Sequence, residues 1–150
     1  ISRFDHEPSA FHYALGQNYK AIRYLRLDRP GMTPGNLLQR IKTMLMAGFP
    51  SAFGCTGYDS IRQAGPRGMI PFPAPGERAV SGHAVAAVGY DDDAETGGVP
   101  GAFLIRNSWG VGWGQAGYGW LPYQYVLEGL AVDWWCVLKQ EWIDTGQFGA

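Results

Sequence analysis

Residues 81–90 read SGHAVAAVGY and residues 104–114 read LIRNSWGVGWG, and these two runs say most about the architecture of the chain. From His83 to Tyr90 the first is an apolar stretch with a polar mouth, which reads as a buried strand. Ala102–Arg106 (AFLIR) reads as a second strand. Between them, Asp91–Gly101 is acidic and Gly-rich and reads as a solvated turn, so the two strands form a hairpin with a long loop. Antiparallel pairing then puts residue 83 opposite roughly residue 107. Paired strands lie about 4.8 Å apart, so His83 and Asn107 are expected neighbours. An Asn side-chain oxygen can accept from one ring N–H and thereby fix the tautomer and orientation of the imidazole. His83, beside a Gly at a strand mouth, is well placed for a general base.

Working outward, Thr33-Pro34 supplies an N-cap followed by Pro at the first helical position. Leu37, Leu38, Ile41, Met44 and Leu45 recur at three- and four-residue spacing, and Gly48 with Pro50 ends the run. A helix is expected from about Pro34 to Ala47. Ser51–Tyr58, Tyr118–Leu121 and Trp134–Trp142 read as strands, as does Ala21–Leu27, while Gln63–Gly76, with four Pro, reads as a loop without regular structure. A helix followed by antiparallel strands and long loops gives the α+β class, with a β-barrel-like arrangement.

Composition narrows the function. The 150 residues are 46% hydrophobic and 17% charged with net charge −1, which is globular and gives no basic stripe for nucleic acid. No apolar run approaches the ~18 residues of a membrane span. Glycine numbers 22, where average usage gives roughly 10, in keeping with a turn-rich β domain. His6 and His12 read as solvated surface residues, and no Cys/His cluster has zinc spacing, so neither a metal nor a cofactor is expected. Cys55 and Cys136, each within an apolar strand, read as structural thiols.

The SGHAVAAVGY, LIRNSWGVGWG and GYGW (117–120) runs together resemble the C-terminal half of the papain family of cysteine peptidases, and the later GYGWLPY and DWW segments look most like bacterial members. The resemblance covers most of the chain. It implies a papain-like fold in which this chain is a half-domain completed by a missing helical N-terminal half. It also implies that His83 is the catalytic base, that Asn107 orients it, and that Trp109 shields their bond and borders the leaving-group side of the cleft. Trp113 matches the family's loop, with plain core packing as the other reading. Ser81, Gly82, Ala84 and Gly54 match positions around the pocket for the second substrate residue upstream of the cut. Small residues there imply a roomy pocket without a selecting charge. The family's base is often preceded by Asp or Asn, and Gly82 departs from that.

In this family the His and Asn follow the nucleophile by about 130–150 residues, which places the thiol upstream of Ile1. The expectation is a two-piece enzyme. This chain supplies base and orienter, a separate N-terminal chain supplies the Cys, and a peptide or protein is the substrate. Trp109, Trp113 and Gln63–Gly76 are the expected contact rim, and Ala21–Leu27 the expected crossing strand. A non-catalytic binding or inhibitory module, and a thiol-dependent ligase, stay open as alternatives, as do secreted and cytoplasmic locations.

Overall fold

The computed structural model of the chain describes residues 6–19 and 21–139. Two compact units emerge, Ile1–Tyr24 with Val137–Ala150, and Leu25–Cys136. In the smaller unit the short helix α1 (Ala10–Gly16) buries none of its residues, and Phe11, Tyr13 and Leu15 are exposed.

The larger unit holds the site. Its antiparallel sheet has the order β6 (Ala131–Lys139), β2 (Ser51–Tyr58), β3 (Ala79–Thr96), β4 (Val99–Arg106), β5 (Tyr118–Pro122), and β1 (Ala21–Arg26) flanks β6. β2 has the expected bounds. Of the expected strand Trp134–Trp142, the part beyond Lys139 lies outside the described residues.

Helix α2 (Pro34–Met46) follows its sequence signals. The Thr33 hydroxyl accepts from the Asn36 amide at 3.3 Å, and Leu37 and Ile41 are buried. Its outer side is tied to the hairpin through Lys42, whose Nζ lies 2.7 and 2.8 Å from the Asp92 carboxylate oxygens. The same ammonium sits 4.8 Å above Tyr90 and 5.6 Å from Tyr123, and Tyr123 donates its hydroxyl to Asp92 at 2.8 Å. These bonds hold the Asp92 carboxyl below its ordinary value, the one from Lys42 foremost. In the core, Phe53 stacks on Trp134 with centroids 3.9 Å apart, and Phe103 leans on both Trp134 and Tyr123.

The Asp91–Gly101 segment is not a loop. β3 runs on to Thr96 and β4 starts at Val99, so the connection is a two-residue turn. Gly97 and Gly98 have φ of +63° and +83°, the left-handed pair that a tight hairpin turn requires and that Gly adopts without steric cost. Asp91, Asp93 and Glu95 are exposed on a paired ribbon, while Asp92 holds Lys42 and Tyr123. The hairpin is also irregular: β3 bulges between Ala87 and Gly89 and between Asp91 and Glu95. A bulge-free ladder from Thr96–Val99 would set Asn107 opposite Val88. The observed pairing Ala86–Arg106 instead brings it opposite Val85. Direct opposition of residues 83 and 107 is therefore corrected by two positions, and the two are diagonal neighbours, still within side-chain reach.

The Pro-rich segment also contributes order. Asp59–Ala64 forms a 3-10 turn, and the Glu77 carboxylate accepts from the amides of Ser60 (2.9 Å) and Ala74 (3.0 Å). Farther along, Ile70 N–H donates to Trp120 O at 3.0 Å and Trp120 N–H to Gly68 O at 2.7 Å, which covers the open edge of β5. A short helix, α3 (Gln124–Leu127), follows β5.

Asp28 secures β6 near its start. Its carboxylate accepts from the amides of Asp133 (2.7 Å) and Trp134 (3.1 Å) and pairs with Arg26 at 3.0 Å. Burial alone would raise its pKa, but these bonds outweigh burial and hold it below the ordinary carboxylate value. A depressed folded-state pKa adds stability that is fully present above the ordinary carboxylate range and is lost as pH falls through the folded value. Asp28→Asn should therefore cost about 1–3 kcal/mol at pH 7, with a gap from wild type that narrows toward pH 2.5. Urea unfolding at both pH values measures this, and a gap independent of pH would contradict it.

Candidate active site

His83 lies near the start of the β3 ladder, opposite Cys55 on β2, and Asn107 follows the last residue of β4. Their side chains meet: His83 Nε2 is 2.9 Å from Asn107 Oδ1. The same Oδ1 accepts from the Ser108 backbone N–H at 2.7 Å. A backbone amide can only donate, so this contact fixes which end of the carboxamide faces the ring; a flipped Asn would set two donors against each other. The oxygen therefore faces Nε2, Nε2 must carry the proton, and the Nδ1 lone pair is free. Geometry alone thus selects the tautomer of a general base.

The loop behind Asn107 is fixed at several points. Asn107 N–H donates to Gly117 O at 3.0 Å. Arg106 Nη1 donates to Ala116 O at 3.0 Å, and its guanidinium lies 4.7 Å above the Tyr118 ring. Trp109 is tilted over His83 with centroids 4.9 Å apart, and Trp113 meets Trp109 edge-on at 5.7 Å. Trp113 rests on Gly119, where an added Cβ would come within 2.5 Å of its Cη2 atom. Trp113 is thus a packing residue that supports Trp109, whereas Trp109 is 48% exposed and faces the site.

Two grooves adjoin this centre. One, of about 280 Å³, is lined by Gly54, Cys55, Thr56, Ser81, Gly82, His83 and Val132. Three of the four expected pocket residues are therefore gathered there. Ala84 is exposed and pairs with Gly54 across β2 and β3, but it is outside the lining. The other groove, of about 510 Å³, is lined by Arg62, Trp109 and Trp113. Arg62, Val132 and the Ser108 amide were not singled out by the sequence reading. No spacing rule marks Arg62 or Val132, because β6 and the 3-10 turn reach the site only through tertiary packing, and Ser108 acts through its backbone N–H, which no residue type marks.

Neither cysteine is a nucleophile by environment. Cys55 is buried, and burial pushes its thiol up to about 11. Cys136 is buried beside Ser51 Oγ, 3.0 Å away, and burial raises its thiol too. Reactive thiols have lowered pKa values. Among the described residues no group of His, Cys, Asp and Glu could hold a metal. His12 lies exposed, 2.7 Å from Ser9 Oγ.

A sequence model of papain family cysteine proteases matches residues 17–130. The chain belongs to the papain family. An uncharacterized peptidase C1-like protein, L477, of Acanthamoeba polyphaga mimivirus is 33% identical over 139 residues, covering 90% of this chain and 43% of the relative. The crystal structure of xylellain, a cysteine protease from Xylella fastidiosa, is 36% identical with a TM-score of 0.65, covering 87% of this chain and 45% of that one. The clostridial cysteine protease Cwp84, at 18% identity and a TM-score of 0.60 over 93% of this chain and 32% of that one, shares the fold. The chain spans less than half the length of these papain-family relatives.

Two outcomes test the geometry. In ¹⁵N-resolved spectra at a pH where the ring is neutral, His83 should be protonated at Nε2, and Asn107→Ala should mix the tautomers; an Nδ1–H form in the unaltered chain would contradict the arrangement. Gly119→Ala should displace Trp113, cost roughly 1–3 kcal/mol and shift the tryptophan emission. Unchanged emission would show that Trp113 does not rest where described.

Proposed function

We propose that the chain is the base-bearing part of a cysteine-type peptidase that cleaves peptide bonds by a Cys–His–Asn mechanism, with the thiol carried by a separate N-terminal chain. The carrying observation is the His83–Asn107 bond with its orientation locked by the Ser108 amide. Nδ1 takes the proton of the thiol, and the thiolate attacks the substrate carbonyl carbon. The imidazolium then returns that proton to the amine as the C–N bond breaks, leaving a thioester. Water, deprotonated by the same nitrogen, cleaves the thioester and releases the acid. Throughout, Asn107 Oδ1 holds the Nε2–H and keeps Nδ1 turned toward the reacting groups.

One feature supports a partner at this face. Trp109 and Val111 are 48% and 74% exposed, an apolar rim suited to docking. With Trp113 and Gln63–Gly76 they form the proposed contact surface. Gly54, Ser81 and Gly82 border the proposed upstream pocket. Its small residues and lack of a fixed counter-charge suit a bulky apolar side chain of a peptide.

With the N-terminal chain supplied, His83→Ala should lower kcat by about 10²–10⁴-fold. Asn107→Ala should lower it less, because orientation is lost while the base remains. Peptide hydrolysis that survives His83→Ala unchanged would overturn the proposal.

A further inference from the structure

We propose that Arg62 makes the leaving-group side of this cleft selective for a carboxylate, supplied by an acidic side chain just after the cut or by the substrate's own C-terminus. The inference rests on the reading of His83 as the peptidase base and adds a substrate class to it. The two grooves flanking that base differ in chemistry. The smaller one, at Gly54, Ser81 and Gly82, offers His83 as its titratable ring and Cys55 as a protonated thiol, with no permanent charge. The larger one starts one ring away, at Trp109, and adds Trp113 and a guanidinium. A peptide laid across His83 with its upstream residue in the first groove runs its downstream residues into the second.

Arg62 is placed by a pinned element. Its neighbours Ser60, Ile61 and Ala64 are buried, and the Ser60 amide is held by Glu77. Its described charged contact is Asp59, which meets Nε at 3.7 Å with both side chains largely exposed. An exposed pair of this kind is weak, and it leaves both terminal nitrogens with their donors. A guanidinium with two free N–H groups is matched to a planar carboxylate. The indole faces of Trp109 and Trp113 can pack against the methylenes that carry it. Asp59 competes for the same cation, so it sets the level of selectivity without cancelling it.

The test uses the assembled peptidase and internally quenched peptides that differ at one position, the residue after the cut, as Asp, Asn or Lys, all C-terminally amidated. A second pair has a neutral residue there and ends as free acid or amide. For wild type, kcat/KM should favour Asp over Lys by about three- to fivefold, or the free acid over the amide by a similar factor. The pair that responds identifies the source of the carboxylate. The preference should vanish in Arg62→Gln, invert in Arg62→Glu and grow in Asp59→Asn. An unchanged ratio in Arg62→Glu, or no preference in either series, overturns the proposal. A second readout is independent of turnover: emission of Trp109 and Trp113 in residues 1–150, titrated with acetylated Ala-Asp-amide, Ala-Lys-amide and Ala-Ala free acid. A response confined to the carboxylate peptides and lost in Arg62→Glu supports the site even if no peptide is cleaved, in which case the peptidase reading alone falls. Equal responses to the Asp and Lys peptides, or none to any, count against Arg62.

Discussion

The Asn107 side chain has no freedom to turn over, and the chemistry at this centre depends on that constraint. One backbone amide, that of Ser108, can only donate, so it claims Oδ1 at 2.7 Å. Everything downstream is bookkeeping of protons: Oδ1 faces the ring, Nε2 keeps its hydrogen, and Nδ1 is left basic. The fold delivers this arrangement through irregularity rather than through an ideal ladder. Without the bulges in β3, Asn107 would face Val88, well up the strand from His83. Bulges shorten the effective path of β3 against β4 and slide the loop end of β4 toward the imidazole. The Gly97–Gly98 turn sets the register from which that slide is counted.

The surroundings divide into parts that hold and parts that stay open. Trp134, stacked on Phe53 and fully buried, anchors β6 against β2. The Lys42, Asp92 and Tyr123 cluster ties α2 to the hairpin, and Gly68–Ile70 seals the edge of β5. Against this frame the loop from Asn107 to Tyr118 is fixed by Arg106 and by Trp113 on Gly119, so that Trp109 can present one face to His83 and leave the other accessible. A base must be rigid with respect to its orienter, yet open to the groups it acts upon.

Much of this was legible in the residues. Helix α2 and strand β2 carry their own start and stop signals, so Thr33, the Leu37–Ile41 spacing and Gly48 define them without tertiary information. The meeting of His83 and Asn107 followed from hairpin pairing and from the family resemblance. The details did not follow. Bulges leave no fixed residue signature in a strand of small apolar residues, so the register was off by two. The acidic run Asp91–Glu95 masked a tight Gly-Gly turn, because charge suggests solvent exposure and a twisted two-stranded ribbon satisfies that as well as a loop does. Four residues of α3 are too few to show a helical period. Arg62 and Val132 come to the centre from distant elements, so nothing local in the sequence marks them. Ala84 was grouped with Ser81, Gly82 and Gly54 by the family resemblance, yet it is outside the lining of the groove although it pairs with Gly54.

The central proposal is that this chain supplies the base for a thiol carried on another polypeptide, while its own two cysteines, both buried, serve packing. The most direct measurement is covalent: the assembled peptidase is treated with a thiol-directed peptidyl epoxide, digested, and the modified residue located by mass spectrometry. The account predicts one modified cysteine outside residues 1–150, with labelling suppressed in His83→Ala, and Cys55 and Cys136 unmodified. Rapid, His83-dependent modification of Cys55, which faces His83 across β2 and β3, would contradict it and make this chain a complete nucleophile–base pair by itself.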